Sequence, residues 1–374
     1  MLSLYDYLEN EYKQLSKTTN LELNDYSLVN KCSFQELIND DKLCIKLISQ
    51  VLELDITNIA INRYRASHIV STWLLGLGLG RYFNFERGIQ GLCNLYYQKI
   101  WLQSAILHDY GYFCNEINKD NLQIEEITKD YNLLTDNYSD YALTCLNGMS
   151  LRTEFARYFS YTYDEIEKYF RYSKAFHKND EEIVDYERSD HGIVGGCIAF
   201  SKYCKNIKHM KINFNYVSSD VLTIIQKLSC IIAVSHNIFK SKDEEKDNEY
   251  KTYGLYNLLS NSPIRIKKEN NFLSLLSLVD TIECTKRFSK KVNPDEYLIQ
   301  STTLKYVDID LQIGEITINF QRLNEYLTKT RKSNEMVKKL KAHVDSVANL
   351  NTWTEFNSHI GSNNKEVRIS IKND

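Results

Sequence analysis

Apolar positions recur along this chain at helical spacing, in runs separated by polar and charged stretches, and this pattern predicts a mainly α-helical protein. Residues 1–60 carry short amphipathic helices. Among them, Asp41 is placed to cap a helix over Lys42–Glu53, with Leu43, Ile45, Leu47, Ile48, Val51 and Leu52 apolar. A helix over residues 63–82 starts Arg63-Tyr64-Arg65-Ala66-Ser67-His68 and then becomes almost wholly apolar. A second apolar helix runs from Gly88 to Leu107 and ends in His108-Asp109, followed by Tyr110-Gly111. Residues 115–187 are polar, charged and aromatic, with helical pieces around 124–134, 138–159 and 164–176. They read as an insertion, either a solvated helical hairpin or a cap over a pocket. Helices are expected again near 188–205, 220–236 and Asn271–Phe288.

Past Pro294 the period changes. Thr302–Asp310 and Glu315–Gln321 alternate as a β-hairpin around Ile313-Gly314. A helix over 322–330 follows, then one over 334–349 capped by Ser333, and a last strand over Glu366–Lys372. The expected fold is a helical bundle over residues 1–300, with the insertion at about 115–187, and a small C-terminal α+β unit over 301–374.

Composition supports this reading. Only 2 prolines fall in 374 residues, which suits long helices. The chain is 43% hydrophobic and 25% charged, in the range of soluble globular proteins. A formal charge of -3 argues against a broad nucleic-acid surface and leaves room for a local basic pocket around a small nucleotide. The 9 cysteines form no CxxC and several sit in apolar helical runs, as reduced buried thiols would. No leader-like segment is read at the start, and charged or polar residues interrupt every long apolar window. A cytoplasmic protein without a membrane span is therefore expected.

The chemistry lies where apolar runs turn polar. A carboxylate beside an imidazole at the end of a buried helix needs a partner, because an unpaired buried charge is costly. A metal ion accepts both groups. His68, His108-Asp109, His191 and His236 each stand at such a boundary, and Asp280 interrupts the apolar face Leu275, Leu276, Leu278, Val279, Ile282. Taken singly, each histidine is more often hydrogen-bonded than metal-bound. The order His…His-Asp…His…His…Asp over successive helices is more specific.

That order resembles the HD-domain superfamily of metal-dependent phosphohydrolases over about residues 60–290, apart from the insertion. Leu107-His108-Asp109-Tyr110-Gly111 matches the signature, His68 the first histidine and Leu278-Val279-Asp280 the closing aspartate. His191 and His236 are similar to the extra histidines of the binuclear subgroup. The resemblance implies two divalent cations (Mn, Mg, Co or Fe), with His68, His108 and Asp280 on one, His191 and His236 on the other, and Asp109 bridging. His108 and Asp109 are then the catalytic pair. Asp190 and Asn237 are candidates to orient the imidazoles. The chain departs from the superfamily's pattern in places. Tyr112 stands where a lysine is common three residues after the signature aspartate, and no Gly-Tyr-Pro follows His236-Asn237. Arg63, Arg65, Tyr112, Lys174, Lys178 and Lys286 are the candidate substrate contacts, the cations being suited to phosphate oxygens.

The implied function is hydrolysis of a nucleotide by metal-activated water. The substrate class spans deoxynucleotides, ribonucleotides and cyclic nucleotides. Two alternatives share the ligand set: a di-iron oxygenase of the same fold, and a nucleotide-sensing module with an idle metal site; a role in bacterial antiviral defence, by depleting or clearing nucleotides, is open to such an HD protein. The insertion and the C-terminal unit are candidate sources of specificity or of a homo-oligomer contact.

Overall fold

In the computed structural model of the chain, the described residues are 1–17, 31–52, 66–82, 94–109, 229, 232–233, 271–283, 301–312, 315–329, 337–338, 340 and 368–372. The expected insertion at 115–187 and the helix expected over 188–205 lie outside them. The chain divides into two compact units: Met1–Leu102 together with Ser274–Asp374, and Gln103–Leu273. Among the described residues, helices predominate and are joined by one small sheet.

The first unit is organised on helix α4 (Ala66–Tyr82), in which every residue from Ala66 to Gly80 is buried. A helix apolar on all sides belongs in the middle of a core. Helices α1 (Leu4–Lys17), α2 (Phe34–Asn39) and α3 (Asp41–Leu52) pack against it. Helix α1 turns Leu4, Leu8, Tyr12 and Leu15 inward with Tyr7 and Glu11, the three- and four-residue spacing of one helical stripe. The Glu11 carboxylate is buried and pairs with Arg81 near the end of α4.

Small residues let α4 be approached closely. A Cβ on Gly78 would stand 2.1 Å from the Tyr7 hydroxyl, and one on Gly76 only 2.0 Å from the Trp101 ring. Trp101 belongs to helix α5 (Asn94–Leu107), is fully buried, and donates its indole N–H to the Trp73 carbonyl at 2.8 Å. Glycine at 76 therefore makes room for the indole that fixes α5 against α4.

Local chemistry sets the helix ends. Ser33 and Glu36 form a capping box on α2: the Ser33 hydroxyl accepts from the Glu36 amide at 3.2 Å and the Glu36 carboxylate accepts from the Ser33 amide at 2.7 Å. The cap of α3 is Asp40, one residue before the expected Asp41. The Asp40 carbonyl accepts from Cys44 N at 3.0 Å, and its side chain accepts from Lys42 N at 2.9 Å. Asp40 also closes α2 by donating to the Leu37 carbonyl, so one residue serves both helices and Asp41 becomes the first helical residue. Cys44 is a buried free thiol that donates to the Leu37 carbonyl at 3.1 Å.

The sheet has four strands in the order β1 (Leu2–Ser3), β2 (Asp308–Gln312), β3 (Glu315–Asn319) and β4 (Arg368–Lys372). The first two pairings are antiparallel and β3 with β4 is parallel. The expected hairpin is present, but it begins later than the alternation suggests. Residues 301–306 are helical, and Val307 N still bonds to the Thr303 carbonyl at 2.9 Å. Thr302, Thr303 and Leu304 are buried in succession, which a strand with one buried face does not allow. The second strand ends at Asn319 rather than Gln321, and Gln321–Lys329 forms the next helix, α7. The sequence pattern, which reads residues 1–60 as containing short amphipathic helices, does not signal the strand β1. Its pairing with β2 runs Leu2 to Ile309 and Ser3 to Asp308.

Tyr82 ties the end of α4 to this hairpin. Its hydroxyl donates to the Gln312 carbonyl and accepts from Glu315 N at 3.0 Å. The last described helix of the apolar type, α6 (Asn271–Ile282), keeps Leu275, Leu276, Leu278, Val279 and Ile282 buried. It ends at Ile282 where a run to Phe288 was expected, and residues beyond Glu283 lie outside the description. In the second unit, the described residues are 103–109, Ser229, Ile232, Ala233 and the first three residues of α6, all in or beside helix. Ser229 donates to Gln103 Oε1 at 3.4 Å. No helix among the described residues is long and apolar enough to cross a membrane.

Candidate metal centre

His68 lies within the buried length of α4 and is 1% exposed. Its Nδ1 stands 2.5 Å from Glu283 Oε2, just past the end of α6, and 3.4 Å from Thr72 Oγ1 one turn along its own helix. The other Glu283 oxygen, Oε1, accepts from the Ser71 hydroxyl at 2.5 Å, and Glu283 is fully buried. A carboxylate can only accept, so the proton between the pair sits on Nδ1 and the lone pair of the ring is on Nε2. That Nε2 faces Asp280 Oδ1 at 3.5 Å, with Asp280 partly exposed.

The second histidine has the same arrangement by a different route. His108 continues the hydrogen-bonding of α5, with its amide bonded to the Ser104 carbonyl at 3.0 Å. Its Nδ1 donates to the Ala105 carbonyl at 2.8 Å, one of the carbonyls left over at a helix end. The lone pair is again on Nε2, here 3.6 Å from Asp109 Oδ1. His108 is fully buried and Asp109 is 9% exposed.

Distances of 3.5 and 3.6 Å are long for a hydrogen bond. They match two donors sharing one ion. With bonds of about 2.1 Å, two ligand atoms stand about 3.4 Å apart at the tetrahedral angle and about 3.0 Å apart at a right angle. The C-terminal end of α5 adds its own negative partial charge beside His108-Asp109, which also favours a cation. One ligand atom from each of His68, His108 and Asp109 lies within 4.8 Å of the others. This buried group has the donors to hold a metal ion.

Of the residues singled out from sequence, the structure thus brings His68, His108 and Asp109 into one group, and sets Asp280 beside His68. Arg63, Arg65, Tyr112, Lys174, Lys178, His191, His236 and Lys286 lie outside the described residues. Sequence reasoning missed Glu283, Ser71 and Thr72. The signal was there in spacing: Glu283 follows Asp280 by three residues, and Ser71 and Thr72 follow His68 by three and four, which puts each on the same helical face as its ligand.

A polar cleft elsewhere among the described residues lacks this chemistry. This cleft, of about 430 Å³ in the first unit, is lined by Ser3, Asp6, Asn39, Lys305 and Arg322 among others, and by none of the residues of the metal group. Its Arg322 is already bonded to Asp308 at 2.7 Å. Burial raises the Asp308 carboxyl above its ordinary pKa, against the lowering influence of that guanidinium. Compared with known proteins, the chain matches no family model, no curated protein and no solved structure.

Proposed function

We propose that this chain is a metal-dependent phosphohydrolase acting on a nucleotide. The observation that supports it is the paired orientation of two buried imidazoles. Both His68 and His108 commit Nδ1 to an acceptor and turn the lone pair of Nε2 toward a carboxylate, Asp280 and Asp109 respectively. Neutral imidazole and carboxylate together suit a borderline divalent cation such as Mn²⁺, Co²⁺, Fe²⁺ or Zn²⁺.

In this reading His68, His108, Asp109 and Asp280 hold the first ion. Asp109 has two carboxylate oxygens and would be able to serve a second ion, for which His191 and His236 would be the further ligands. When bound, such cations supply an acidified water and neutralise the oxygens of a phosphoryl group. The chain's own contribution is positioning and charge. The burial of His68 and His108 keeps bulk water from the donor nitrogens, while Asp280, at 23% exposure, stands nearest solvent and marks the side from which a substrate would arrive. The carboxylates of Asp109 and Asp280 offset the ion's charge, which a substrate phosphate then completes.

The test is a screen of purified protein against deoxynucleotides, ribonucleotides and cyclic nucleotides, each with Mn²⁺, Mg²⁺, Co²⁺ and Fe²⁺. Turnover that falls at least about 100-fold in Asp109→Asn is expected, since that variant keeps the shape and loses the charge. No turnover of any nucleotide with metal occupancy verified counts against the proposal. Dioxygen consumption by an iron-loaded form would replace it with oxygenase chemistry. Biological activity that survives Asp109→Ala would replace it with a sensing role.

A further inference from the structure

Glu283 is fully buried, yet it is a carboxylate. Burying one is expensive unless both oxygens are satisfied. They are, by two groups on one turn of α4: the Ser71 hydroxyl on Oε1 and the His68 ring on Oε2, each at 2.5 Å. The second of these partners is an imidazole whose far nitrogen faces Asp280.

We propose that Glu283 is the positioning residue of the metal centre. It fixes His68 in the tautomer that presents Nε2 to the ion, and Ser71 holds Glu283 in place. The inference rests on the metal-centre reading above and adds to it a residue that is not itself a ligand. The physical argument is a matter of donors and acceptors. As a carboxylate, Glu283 accepts from Ser71 and from His68 Nδ1 at once. Hydrogen-bonding through Nδ1 raises the basicity of Nε2 and locks the rotation of the ring. The negative charge sits one imidazole away from where a cation would bind, and would offset part of the ion's charge.

Glu283→Gln discriminates this role from simple packing. The amide has nearly the same shape, but only one of its two ends accepts. With Ser71 still donating to the amide oxygen, the amide nitrogen faces His68 Nδ1 with hydrogens. That favours the opposite tautomer, with the proton on Nε2 and no lone pair for the ion. The amide keeps the shape of the side chain and its bond from Ser71, so metal affinity should fall by more than stability does.

The experiment uses the full chain. Mn²⁺ affinity is measured by counting free Mn²⁺ in a titration of the wild-type protein, Glu283→Gln, Ser71→Ala and His68→Ala, with thermal melting of each metal-free protein alongside. The expected result is a 10–100-fold weaker affinity for Glu283→Gln, a smaller loss for Ser71→Ala, and melting close to wild type for both. Wild-type affinity in Glu283→Gln overturns the inference. If that variant does not fold, the wild-type protein decides. With ¹⁵N-labelled histidine and Zn²⁺ as a diamagnetic probe, the His68 ring should carry its proton on Nδ1 and shift at Nε2 on binding. A metal shift at Nδ1, or a proton on Nε2, overturns the inference. Failure of the underlying reading looks different: His68→Ala would then bind Mn²⁺ as tightly as the wild-type protein.

Discussion

Replacing Gly76 by alanine should break the contact between α4 and α5. The added Cβ would meet three atoms of the Trp101 ring, at 2.0, 2.1 and 2.3 Å. Carbon atoms settle about 3.5–4.0 Å apart, so the ring must retreat by roughly 1.5 Å. It is fully buried and is the flat body of a large side chain, so it cannot swing aside as a flexible tip would. Forcing a methyl into such a site costs about 1–3 kcal/mol. The same retreat stretches the 2.8 Å bond from the Trp101 indole to the Trp73 carbonyl. Leaving the indole N–H buried and unbonded costs about 1–3 kcal/mol more. Alanine returns about 1 kcal/mol of helix propensity. The net expectation is a loss of about 1–5 kcal/mol, obtained by combining these terms. Urea denaturation followed by tryptophan fluorescence reads it. A double-mutant cycle with Trp101→Leu assigns it: the pair should lose clearly less than the two single changes added together. A Gly76→Ala protein within about 0.5 kcal/mol of wild type, or a cycle without coupling, would refute the reasoning. Because α5 ends in His108-Asp109, the variant should also bind Mn²⁺ less tightly.

Two further outcomes concern the surface of the same core. Burial lifts the Asp41 carboxyl from its ordinary range to about 6, helped by the neighbouring Asp40 carboxylate and opposed by the Ser67 amide that donates to it. Its folded form thus holds a proton more tightly than its unfolded form, and stability falls as pH rises from about 4 to about 6. A shift of this size corresponds to about 3 kcal/mol, reduced to about 1–2 by the partial exposure of the group. Asp41→Asn keeps an acceptor for Ser67 and should raise the melting temperature at pH 8 while leaving it nearly unchanged at pH 4; equal gains at both would contradict the assignment. Ser33→Ala removes the hydroxyl of the capping box and should cost about 1 kcal/mol in urea, with faster amide exchange at Glu36. Unchanged exchange there would show that the box does not hold the start of α2.

The parts of this fold that could be read from the sequence are those where burial and period agree. Helix α4 is apolar on every side, and a run of that kind has nowhere to go but the core, so its position is legible without a structure. The His68 and His108-Asp109 positions stand out for the same reason, as polar groups inside or at the end of such runs. Glu283 did not stand out because Thr281, Cys284, Thr285 and Lys286 around it already read as the polar end of a helix. A buried carboxylate is hidden when its neighbours in sequence are polar, and only its partners in space reveal it. The segment at 301–306 misled in the opposite way. Threonines and alternating hydrophobics favour a strand, but packing buries three consecutive side chains, and tertiary burial outweighs a propensity of about 1 kcal/mol or less per residue. The two-residue strand at Leu2–Ser3 carries no period at all. It exists because β2 offers an edge.

That edge has a consequence for how the protein is made. Leu2 pairs with Ile309, and the unit built on residues 1–102 is completed by residues from 274 onward. During synthesis from the amino end, α1 to α4 emerge long before the strand that β1 joins. At about 5–20 residues per second, the interval for the intervening ~300 residues is roughly 15–60 s. Through that time the apolar stripe of α1 and the flanks of α4 must pack on each other without the sheet. The first unit is therefore sealed by the chain's own later synthesis, and a ribosome paused between residues 102 and 300 holds its N-terminal helices with one side of their core uncovered.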